Sequence, residues 1–398
     1  MPKKILQITH KPAYPSIDGG CLEMAKMAQF YQKNQEFELH IFTLFTHKHP
    51  FNQEEFVKAG IPANNITATK TNTKPKFWKG LATVLAGKSY NLSRFSSKDI
   101  LNKLSEVLAN TQFDLIQCES IYSGQFVEHI KNNSNAKIIL NTPNVEFEIW
   151  NQYSHTSIFP KKQLFGQLSK LLKKEEIEIW NKMDALFCIS KEVKSEIFNY
   201  CKVPSKIIPF FVEITEKPIL KKKNASLSFF HIGAMDWKPN KEGVAWFLKN
   251  VWQHTTHFSP LHLAGKGMKL PLKKNESIVE HGFVENAKKF ILDHDVMVVP
   301  LFKGSGMRIK IIEAMALGKC VISSSLGAEG IAYKKNQSIL IADTAQEFIT
   351  HINTLQQSPD KAEQIGNNAY ELIKEKYSTL ALEKEIIPFL NSVIHSAK

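Results

Sequence analysis

The sequence predicts an α/β protein in which two doubly wound parallel sheets are each covered by helices. Three observations favour this fold class. Short apolar runs bounded by turn residues recur along the chain, as expected of buried parallel strands. Helical patterns separate these runs, and the alternation occurs in two blocks divided by a segment rich in proline and lysine. The chain has 398 residues, of which 43% are hydrophobic, so two or three domains with packed cores are expected.

The first block begins with a strand at residues 4–9, and a loop at residues 10–20 follows it and ends in two glycines. A helical pattern then covers residues 21–33. Ser190 has the residue type and the position of a helix N-cap. The other predicted strands of this block are residues 38–45, 113–119, 136–142 and 185–190, and the other helices are residues 101–109, 161–183 and 191–200.

Residues 203–226 contain three prolines and three consecutive lysines, which predicts an interdomain linker. In the second block, the apolar pattern predicts a helix at residues 243–253 and an amphipathic helical segment from about 362 to 398. Its predicted strands are residues 227–233, 261–265, 277–283, 295–302, 319–325 and 338–343.

This division predicts a first domain at residues 1–210 and a second domain at residues 211–375. A final helix at residues 376–398 either caps its own domain or crosses back to the first. Doubly wound sheets bind ligands at the carboxyl ends of their strands. The cleft between the two domains is therefore the expected active site.

The net charge of +13 favours anionic partners, although a solvated lysine-rich surface explains it equally well. No zinc-finger spacing or aromatic-basic ribonucleoprotein signature is present, so no nucleic-acid partner is expected. The N-terminus lacks the apolar core of a secretory signal, and no apolar run reaches the roughly 18 residues of a membrane span. These features predict a soluble cytoplasmic protein. The five scattered cysteines are expected to be buried free thiols.

The stretch KGSGMRIKIIEAMALGK, at residues 303–319, predicts a glycine turn that leads from a strand into a helix at about 306–317. The amides at a helix N-terminus, together with Gly304 and Gly306, allow an anion to approach the backbone closely. Arg308 in the first helical turn opposes the helix dipole, which makes sense if it faces an anionic ligand. Gly318 is placed to end the helix.

Glu313 lies among apolar residues of this helix and needs polar partners if it is buried. A carboxylate can accept hydrogen bonds from both hydroxyls of a ribose. A structural ion pair, for example with Lys310, is the alternative, and the residues themselves leave both interpretations open.

The second half resembles the retaining glycosyltransferases of family 4, also called group 1, which have the two-domain GT-B fold. The resemblance is strongest to a bacterial branch with the motif G-S-G-x-R-x-K-x-x-E-A-M-A, present here from residue 304. Further matching segments are residues 230–252, 261–267 and 295–302 in the second half, and residues 14–20, 143–150 and 184–190 in the first half.

The resemblance implies that the second domain binds a nucleoside diphosphate sugar and that the first, acceptor-side domain closes over it at Gly19 and Gly20. Glu313 would hold the ribose hydroxyls, and the reaction would need no metal or other cofactor. The diphosphate would be neutralised by basic side chains and by the backbone of the loops. The complete set of implied donor-binding residues is Gly19, Gly20, Gly233, Lys266, Gly304, Ser305, Gly306, Met307, Arg308, Lys310 and Glu313.

Three departures from the family pattern affect this interpretation. A glutamate often stands where this chain has Ser305, a histidine where it has Pro143, and an arginine where it has Ala234. The resemblance then shifts the contacts with the diphosphate onto Lys266, Arg308 and Lys310. The candidates for catalytic contacts with the sugar or the acceptor are Glu119, Asn144 and Glu146.

The sequence offers weak signs of a metal site. Asp293-His294-Asp295 mimics a D-x-D motif but precedes a buried strand, where a cap or turn role is expected. His254 and His257 lack carboxylate or cysteine companions, so a solvated surface is expected there.

Trp237 lies in a loop, where it can belong either to the core or to the ligand site.

The favoured function is transfer of a hexose to a glycan or lipid-linked acceptor in the synthesis of bacterial surface polysaccharide or lipopolysaccharide. Contact with an anionic membrane at its cytoplasmic face is expected from the basic charge. Two alternatives stay open. One is a sugar-nucleotide epimerase or hydrolase of the same fold, and the other is a nucleotide-binding partner protein without catalytic activity.

Overall fold

The computed structural model describes residues 1–214, 226–255, 260–268, 277–304 and 306–396. The chain forms two compact units. The first unit comprises Met1–Pro209 together with Glu385–Lys398, and the second comprises Phe210–Lys384. Each unit is built around one sheet whose paired strands are all parallel, with helices connecting them. The predicted pair of doubly wound parallel sheets is confirmed.

The first sheet has the strand order β3-β2-β1-β4-β5-β6-β7. Its direction of winding reverses between β1 and β4, which makes the carboxyl ends of these two strands the expected ligand position. The strands are β1 (Lys3–Thr9), β2 (Phe37–Phe45), β3 (Ile66–Lys70), β4 (Leu115–Glu119), β5 (Lys137–Thr142), β6 (Ala185–Cys188) and β7 (Ser205–Ile207).

Several helices of the first unit begin at residues whose side chains satisfy a backbone amide of the first turn. Asp18 caps the first helix, Ser97 the fifth and Ser190 the tenth, each through a side-chain oxygen. The helices are α1 (Gly19–Lys33), α2 (Gln53–Lys58), α3 (Phe77–Leu85), α4 (Tyr90–Ser93), α5 (Lys98–Asn110), α6 (Ile121–Gly124), α7 (Val127–Asn133), α8 (Glu146–Thr156), α9 (Lys161–Lys182) and α10 (Lys191–Phe198).

The second sheet has the order β10-β9-β8-β11-β12-β13 and reverses its winding between β8 and β11. Its strands are β8 (Phe229–Ile232), β9 (Leu261–Ala264), β10 (Ile278–Gly282), β11 (Val296–Val299), β12 (Cys320–Ser323) and β13 (Leu340–Ile341). The helices are α11 (Lys238–Asn250), α12 (Ala287–Leu292), α13 (Ile309–Ala316), α14 (Ala345–Gln357), α15 (Pro359–Lys376) and α16 (Thr379–Ile394).

Each core consists of buried and mainly apolar central strands packed under helices, as the apolar runs predict. In the first unit Trp180 packs against Phe147, and in the second Trp252 packs against Phe229 of β8. All five cysteines are buried free thiols, as expected.

Two structural differences from the expected elements matter. Strand β7 occupies residues 205–207, inside the predicted linker, because it extends the first sheet by pairing with β6. Strand β3 was not expected, since ITATK alternates apolar and polar residues at the edge of the sheet. The linker residues 215–225 lie outside the described residues.

The last helix contributes residues to both units. Helix α16 starts within the second unit, and its residues from Glu385 onward belong to the first. There Asn391 accepts a hydrogen bond from Lys3 at 2.5 Å, and Phe389 packs on Phe187. Among the described residues, no helix combines the length and the hydropathy needed to cross a membrane.

Candidate functional site

The candidate site of the second unit lies where its sheet reverses direction. Gly233 follows β8 and Gly304 follows β11, so both loops leave the carboxyl ends of the two strands that flank the switch point. Gly304 and Gly306 have φ angles of 100° and 87°, which glycine adopts without strain. The sequence prediction of a glycine turn at a strand end is confirmed.

Lys310 projects from α13 to the end of β8. Its ammonium lies 3.1 Å from Oδ1 of Asn240 and 3.3 Å from Nε2 of His231. A Cβ atom on Gly233 would come within 3.0 Å of the same ammonium. The Lys310 ammonium therefore packs directly against Gly233, the first residue after β8.

His231 is held in one tautomer. Its Nδ1 lies 2.7 Å from the carbonyl oxygen of Val298, which can only accept, so Nδ1 carries the hydrogen. Burial and the charge of Lys310 hold the pKa of His231 well below its usual range. The ring is therefore neutral, and Nε2 accepts a hydrogen bond from the Lys310 ammonium.

The cation at Lys310 has only uncharged hydrogen-bond partners among the described residues. Burial, together with the nearby charge of Arg308, lowers the pKa of Lys310 to about 7. Burial also lowers the pKa of Arg308 to about 10, although the carboxylate of Glu329 partly offsets this effect. Two basic groups brought together in this way create a strongly favourable position for an anion.

Arg308 is the N-cap residue of α13, which begins at Ile309 rather than at the expected residue 306. Its φ and ψ of −90° and 90° are extended, because the glycine turn continues to this point. The buried guanidinium donates to the carbonyl oxygen of Gly306 and lies 5.4 Å from the ring centroid of Trp237. Trp237 thus belongs to the site, a question that the sequence left open.

The loop after β9, which contains Gly265, meets the Gly233 loop backbone to backbone. A Cβ atom on Gly265 would lie 1.8 Å from the carbonyl oxygen of Gly233, and Gly265 has a φ of 149°. The amide of Met235 donates to the carbonyl oxygen of Lys266 at 2.8 Å. Lys266 therefore adjoins the β8 loop, and its side chain is exposed.

Glu313 is half-buried in the second turn of α13. Met307 is also half-buried in the loop before this helix, whereas Ser305 lies outside the described residues. At the other end of the helix, Gly318 has a φ of 69°, and its amide donates a hydrogen bond to the carbonyl oxygen of Met315. This arrangement is the glycine C-cap that the sequence predicts.

In the first unit, Glu119 ends β4 at the corresponding switch point and is fully buried. It accepts hydrogen bonds from Gln7 at 2.7 Å, from Gln117 at 2.6 Å and from Asn141 at 2.8 Å. Burial raises the pKa of this carboxyl, although the three amides oppose that effect. The side chain is thus fixed at the carboxyl ends of β1, β4 and β5.

A second carboxyl group beside Glu119 was not predicted from the sequence. Asn141 also donates to Glu23 of α1, at 3.1 Å, so one amide bridges two glutamates. Burial and the charge of Glu119 raise the pKa of Glu23 to about 7. One feature of the sequence could have indicated this role. Glu23 is a lone acidic residue in the otherwise apolar first turns of α1, between Leu22 and Met24.

Glu146 begins α8 and accepts a hydrogen bond from Tyr122 at 3.0 Å. The ring of Tyr122 lies 5.5 Å from that of His10, which follows β1. Tyr122 therefore links Glu146 to the residue that follows β1. Ser120 has a φ of 75°, which is rare for a residue with a side chain and marks a position where backbone strain is often functional.

His10 and Glu176 were also absent from the expected site. Nδ1 of His10 lies 3.1 Å from the carbonyl oxygen of Glu119, and burial lowers the pKa of the ring to about 4. Glu176 of α9 accepts hydrogen bonds from the first amides of α8. Asn144 is half-buried in the loop before α8 and takes no part in the hydrogen bonds that fix Glu119 or Glu146.

The loop that ends in Gly19 and Gly20 leads into α1. Lys11 contacts Asp18 at 2.7 Å, and a Cβ atom on Gly20 would lie 3.0 Å from the Lys11 ammonium. Asp18 is also the N-cap of α1, so the basic group at the start of this helix already has a carboxylate partner. This loop belongs to the first unit, whereas the other predicted donor-binding residues belong to the second.

The D-x-D-like segment has the expected structural role at its second aspartate. Asp295 accepts hydrogen bonds from the amide and the hydroxyl of Ser228, at 2.8 and 2.7 Å. These contacts tie the start of β11 to the start of β8.

Comparison with known proteins relates this geometry to one group of enzymes. Residues 226–358 match the family model described as "Glycosyl transferases group 1". An uncharacterized 44.6 kDa protein in the cps region of Klebsiella pneumoniae is 24% identical over 294 residues, which cover 70% of this chain and 74% of that protein.

Two solved structures share the fold at low sequence identity. Sucrose-phosphate synthase from Thermosynechococcus elongatus has a TM-score of 0.73 and 14% identity, with 99% of this chain and 100% of that chain covered. HepE from Anabaena, in complex with UDP and glucose, has a TM-score of 0.69 and 13% identity, covering 98% and 100% of the two chains. The chain therefore has the GT-B fold of two Rossmann-like domains, and residues 226–358 of its second unit are similar to the group 1 glycosyltransferases.

Proposed function

We propose that this protein is a retaining glycosyltransferase that transfers a hexose from a nucleoside diphosphate sugar to a glycan or lipid-linked acceptor. The observation that carries the proposal is the Lys310 ammonium, whose hydrogen-bond partners are the neutral groups of His231 and Asn240. A diphosphate supplies the counter-charge that this position lacks. Arg308, next to it at the N-cap of α13, adds a second cation.

The same groups account for the chemistry of sugar transfer. When the bond between the anomeric carbon and the diphosphate breaks, negative charge develops on the departing phosphate oxygen. Cations and helix amides fixed before the reaction stabilise that charge in the transition state. Lys310, Arg308 and the backbone of the Gly304 loop have this role in our proposal, and Glu313 binds the ribose hydroxyls.

The carboxyl groups of the first unit are proposed to contact the transferred sugar or the acceptor hydroxyl. Glu119 is fixed by three amide hydrogen bonds, so it can hold a hydroxyl group in one orientation. Glu23, with a pKa of about 7, is suited to exchange a proton near neutral pH. Glu146 and Asn144 are the further candidates for contacts with the acceptor.

The biological setting is proposed to be the synthesis of a bacterial surface polysaccharide or lipopolysaccharide. The relative in a cps region supports the polysaccharide class, and the neighbour that holds UDP and glucose supports a nucleoside diphosphate hexose. We also propose that the donor chemistry is independent of metal, since Lys310 and Arg308 supply the positive charge that a metal ion supplies elsewhere.

We propose peripheral contact with an anionic membrane through α3. This helix exposes Phe77, Trp78, Leu81 and Leu85, with exposed fractions of 75%, 77%, 43% and 78%. Exposed lysines occur within and on both sides of this helix in the sequence, at residues 74, 76, 79 and 88. Apolar side chains that insert between headgroups, combined with lysines that attract anionic lipid, are the features of an interfacial helix.

The membrane proposal is tested by sedimentation with vesicles of phosphatidylglycerol and phosphatidylcholine. Replacing both Phe77 and Trp78 by Ser is expected to weaken vesicle binding at least about tenfold, and Leu380→Ser is a control at an exposed apolar residue elsewhere. Equal vesicle binding by the wild type and both variants would show that α3 does not bind the membrane.

The transferase proposal is tested by incubating the protein with nucleoside diphosphate hexoses, with and without a lipid-linked glycan acceptor. Transfer requires that the donor be consumed with formation of a longer glycan whose new linkage keeps the donor's anomeric configuration. Isomerised or hydrolysed donor in the absence of acceptor would instead indicate an epimerase or hydrolase. Donor binding without turnover under every condition would indicate an inactive partner protein.

A further inference from the structure

Three histidines from separate stretches of the second unit converge at the β10 edge of its sheet. His262 lies in β9, His281 in β10 and His294 in the turn between α12 and β11. Each offers a ring nitrogen, and these nitrogens all lie within 4.8 Å of one another. The rings of His262 and His294 have centroids 4.2 Å apart.

His294 is already oriented as a metal ligand would be. It is buried, and its Nδ1 lies 2.7 Å from the carbonyl oxygen of Phe290, so Nδ1 carries the hydrogen. The lone pair is then on Nε2. A backbone carbonyl that holds the hydrogen on one ring nitrogen is the usual support of a histidine that coordinates through the other.

The other two rings face each other through nitrogen atoms. Nδ1 of His262 and Nε2 of His281 are 2.9 Å apart, so one ring donates a hydrogen to the other. With zinc–nitrogen bonds of about 2.0–2.1 Å, the nitrogens of a tetrahedral site are roughly 3.3 Å apart. The nitrogens of the three histidines are between 2.9 Å and 4.8 Å apart, a range that includes this spacing, and His281 is exposed.

We propose that His262, His281 and His294 bind one divalent transition-metal ion of the zinc class. Neutral imidazoles suit zinc, nickel and copper, whereas magnesium and calcium prefer oxygen ligands. The bound ion would join the edge strand β10 to β9 and to the turn before β11. It would thus stabilise the second unit.

This site is separate from the candidate donor site. Phe230, the cross-strand partner of His262, packs against His294, with ring centroids 5.5 Å apart. His231, the next residue along β8, faces Lys310. Because adjacent strand residues point to opposite faces, the three histidines lie on the other face of the sheet from Lys310.

Calorimetry with zinc chloride and with magnesium chloride tests the proposal on untagged, full-length protein that has been treated with chelator and dialysed. The expected result is one zinc ion per chain, a rise of about 5 °C in the melting temperature and no response to magnesium. Cobalt in place of zinc is expected to give the visible absorption of tetrahedral cobalt(II).

Matched variants identify the ligands. His281→Gln and His262→Gln are each expected to weaken zinc binding at least about tenfold while UDP binding is unchanged. His254→Gln, at an exposed histidine of the same unit outside the cluster, is expected to bind zinc as the wild type does. Circular dichroism verifies that each variant is folded. Absence of zinc binding to the intact protein, or equal binding by His281→Gln and wild type, would overturn the proposal.

Discussion

The ammonium of Lys310 donates a hydrogen bond to Nε2 of His231 at 3.3 Å, and the histidine is held neutral by its own bond to the carbonyl oxygen of Val298. A cation is thus positioned by groups that do not neutralise it. Ion pairing within the protein would stabilise the lysine better, whereas this arrangement leaves its charge available to a ligand.

The free energy of unfolding is expected to depend on pH through Lys310. The pKa of this lysine is about 7 in the folded protein and has an ordinary value of 10.5, so the unfolded chain binds more protons between these values. Stability therefore rises with pH across this range. Relative to Lys310→Met, the wild type should gain about 3.5 kcal/mol between pH 7 and pH 10. Urea unfolding of both proteins measures this difference, and a constant difference would contradict the burial of a charged ammonium.

Binding of a nucleoside diphosphate is expected to weaken as pH rises above 7. An anion beside Lys310 raises its pKa, so the complex holds a proton that the free protein releases near pH 7. A loss of affinity of about tenfold between pH 7 and pH 9 is expected in titration calorimetry. Lys310→Met should show a much smaller dependence on pH. If both proteins lose affinity equally, the titrating group lies elsewhere.

Gly265→Ala is expected to be far more damaging than Gly282→Ala. Both glycines have positive φ, but a Cβ atom at Gly265 meets the carbonyl oxygen of Gly233 at 1.8 Å, whereas Gly282 has nothing within 4 Å. The strain common to both substitutions costs about 1 kcal/mol, and the collision at Gly265 adds at least about 2 kcal/mol. Thermal unfolding compares the two variants, and equal losses would contradict the close approach of the two loops.

Glu23→Gln is expected to stabilise the protein more at pH 8 than at pH 5. The pKa of Glu23 is raised from 4.5 to about 7, so ionisation destabilises the folded state as pH rises through this interval. The gain in stability of the variant over the wild type should be about 2.5 kcal/mol larger at pH 8 than at pH 5. In urea unfolding, Glu36→Gln, at an exposed glutamate of the same unit, should show no such pH-dependent gain. A gain that is the same at both pH values would contradict the raised pKa.

The fold was predictable because both sheets consist of apolar strands whose periodicity and boundaries are local properties of the sequence. The Gly304 loop was predictable for the same reason, since a strand, glycines and an apolar helix follow one another directly. The start of α13 was misplaced by three residues because the glycine turn extends to Arg308.

The partners of the candidate site residues were not predictable, since they are set by packing between distant segments. His231 occupies an otherwise apolar strand, and nothing local indicates that it meets Lys310, 79 residues away. Glu23 and Glu119 meet only because α1 packs on the sheet beside Asn141. For the same reason, the three histidines of the proposed metal site show no ligand spacing in the sequence.

Titration calorimetry of Lys310→Met with a nucleoside diphosphate tests the central claim most directly. The wild type is first titrated at pH 6.5 with UDP, GDP, ADP and TDP to identify the tightest ligand. Lys310→Met should then bind that ligand at least about tenfold more weakly, because the variant loses one charge-assisted hydrogen bond to phosphate. Lys303→Met, at an exposed lysine that pairs with Glu242, should bind as the wild type does. Undiminished binding by Lys310→Met would contradict the assignment of this lysine to the diphosphate site.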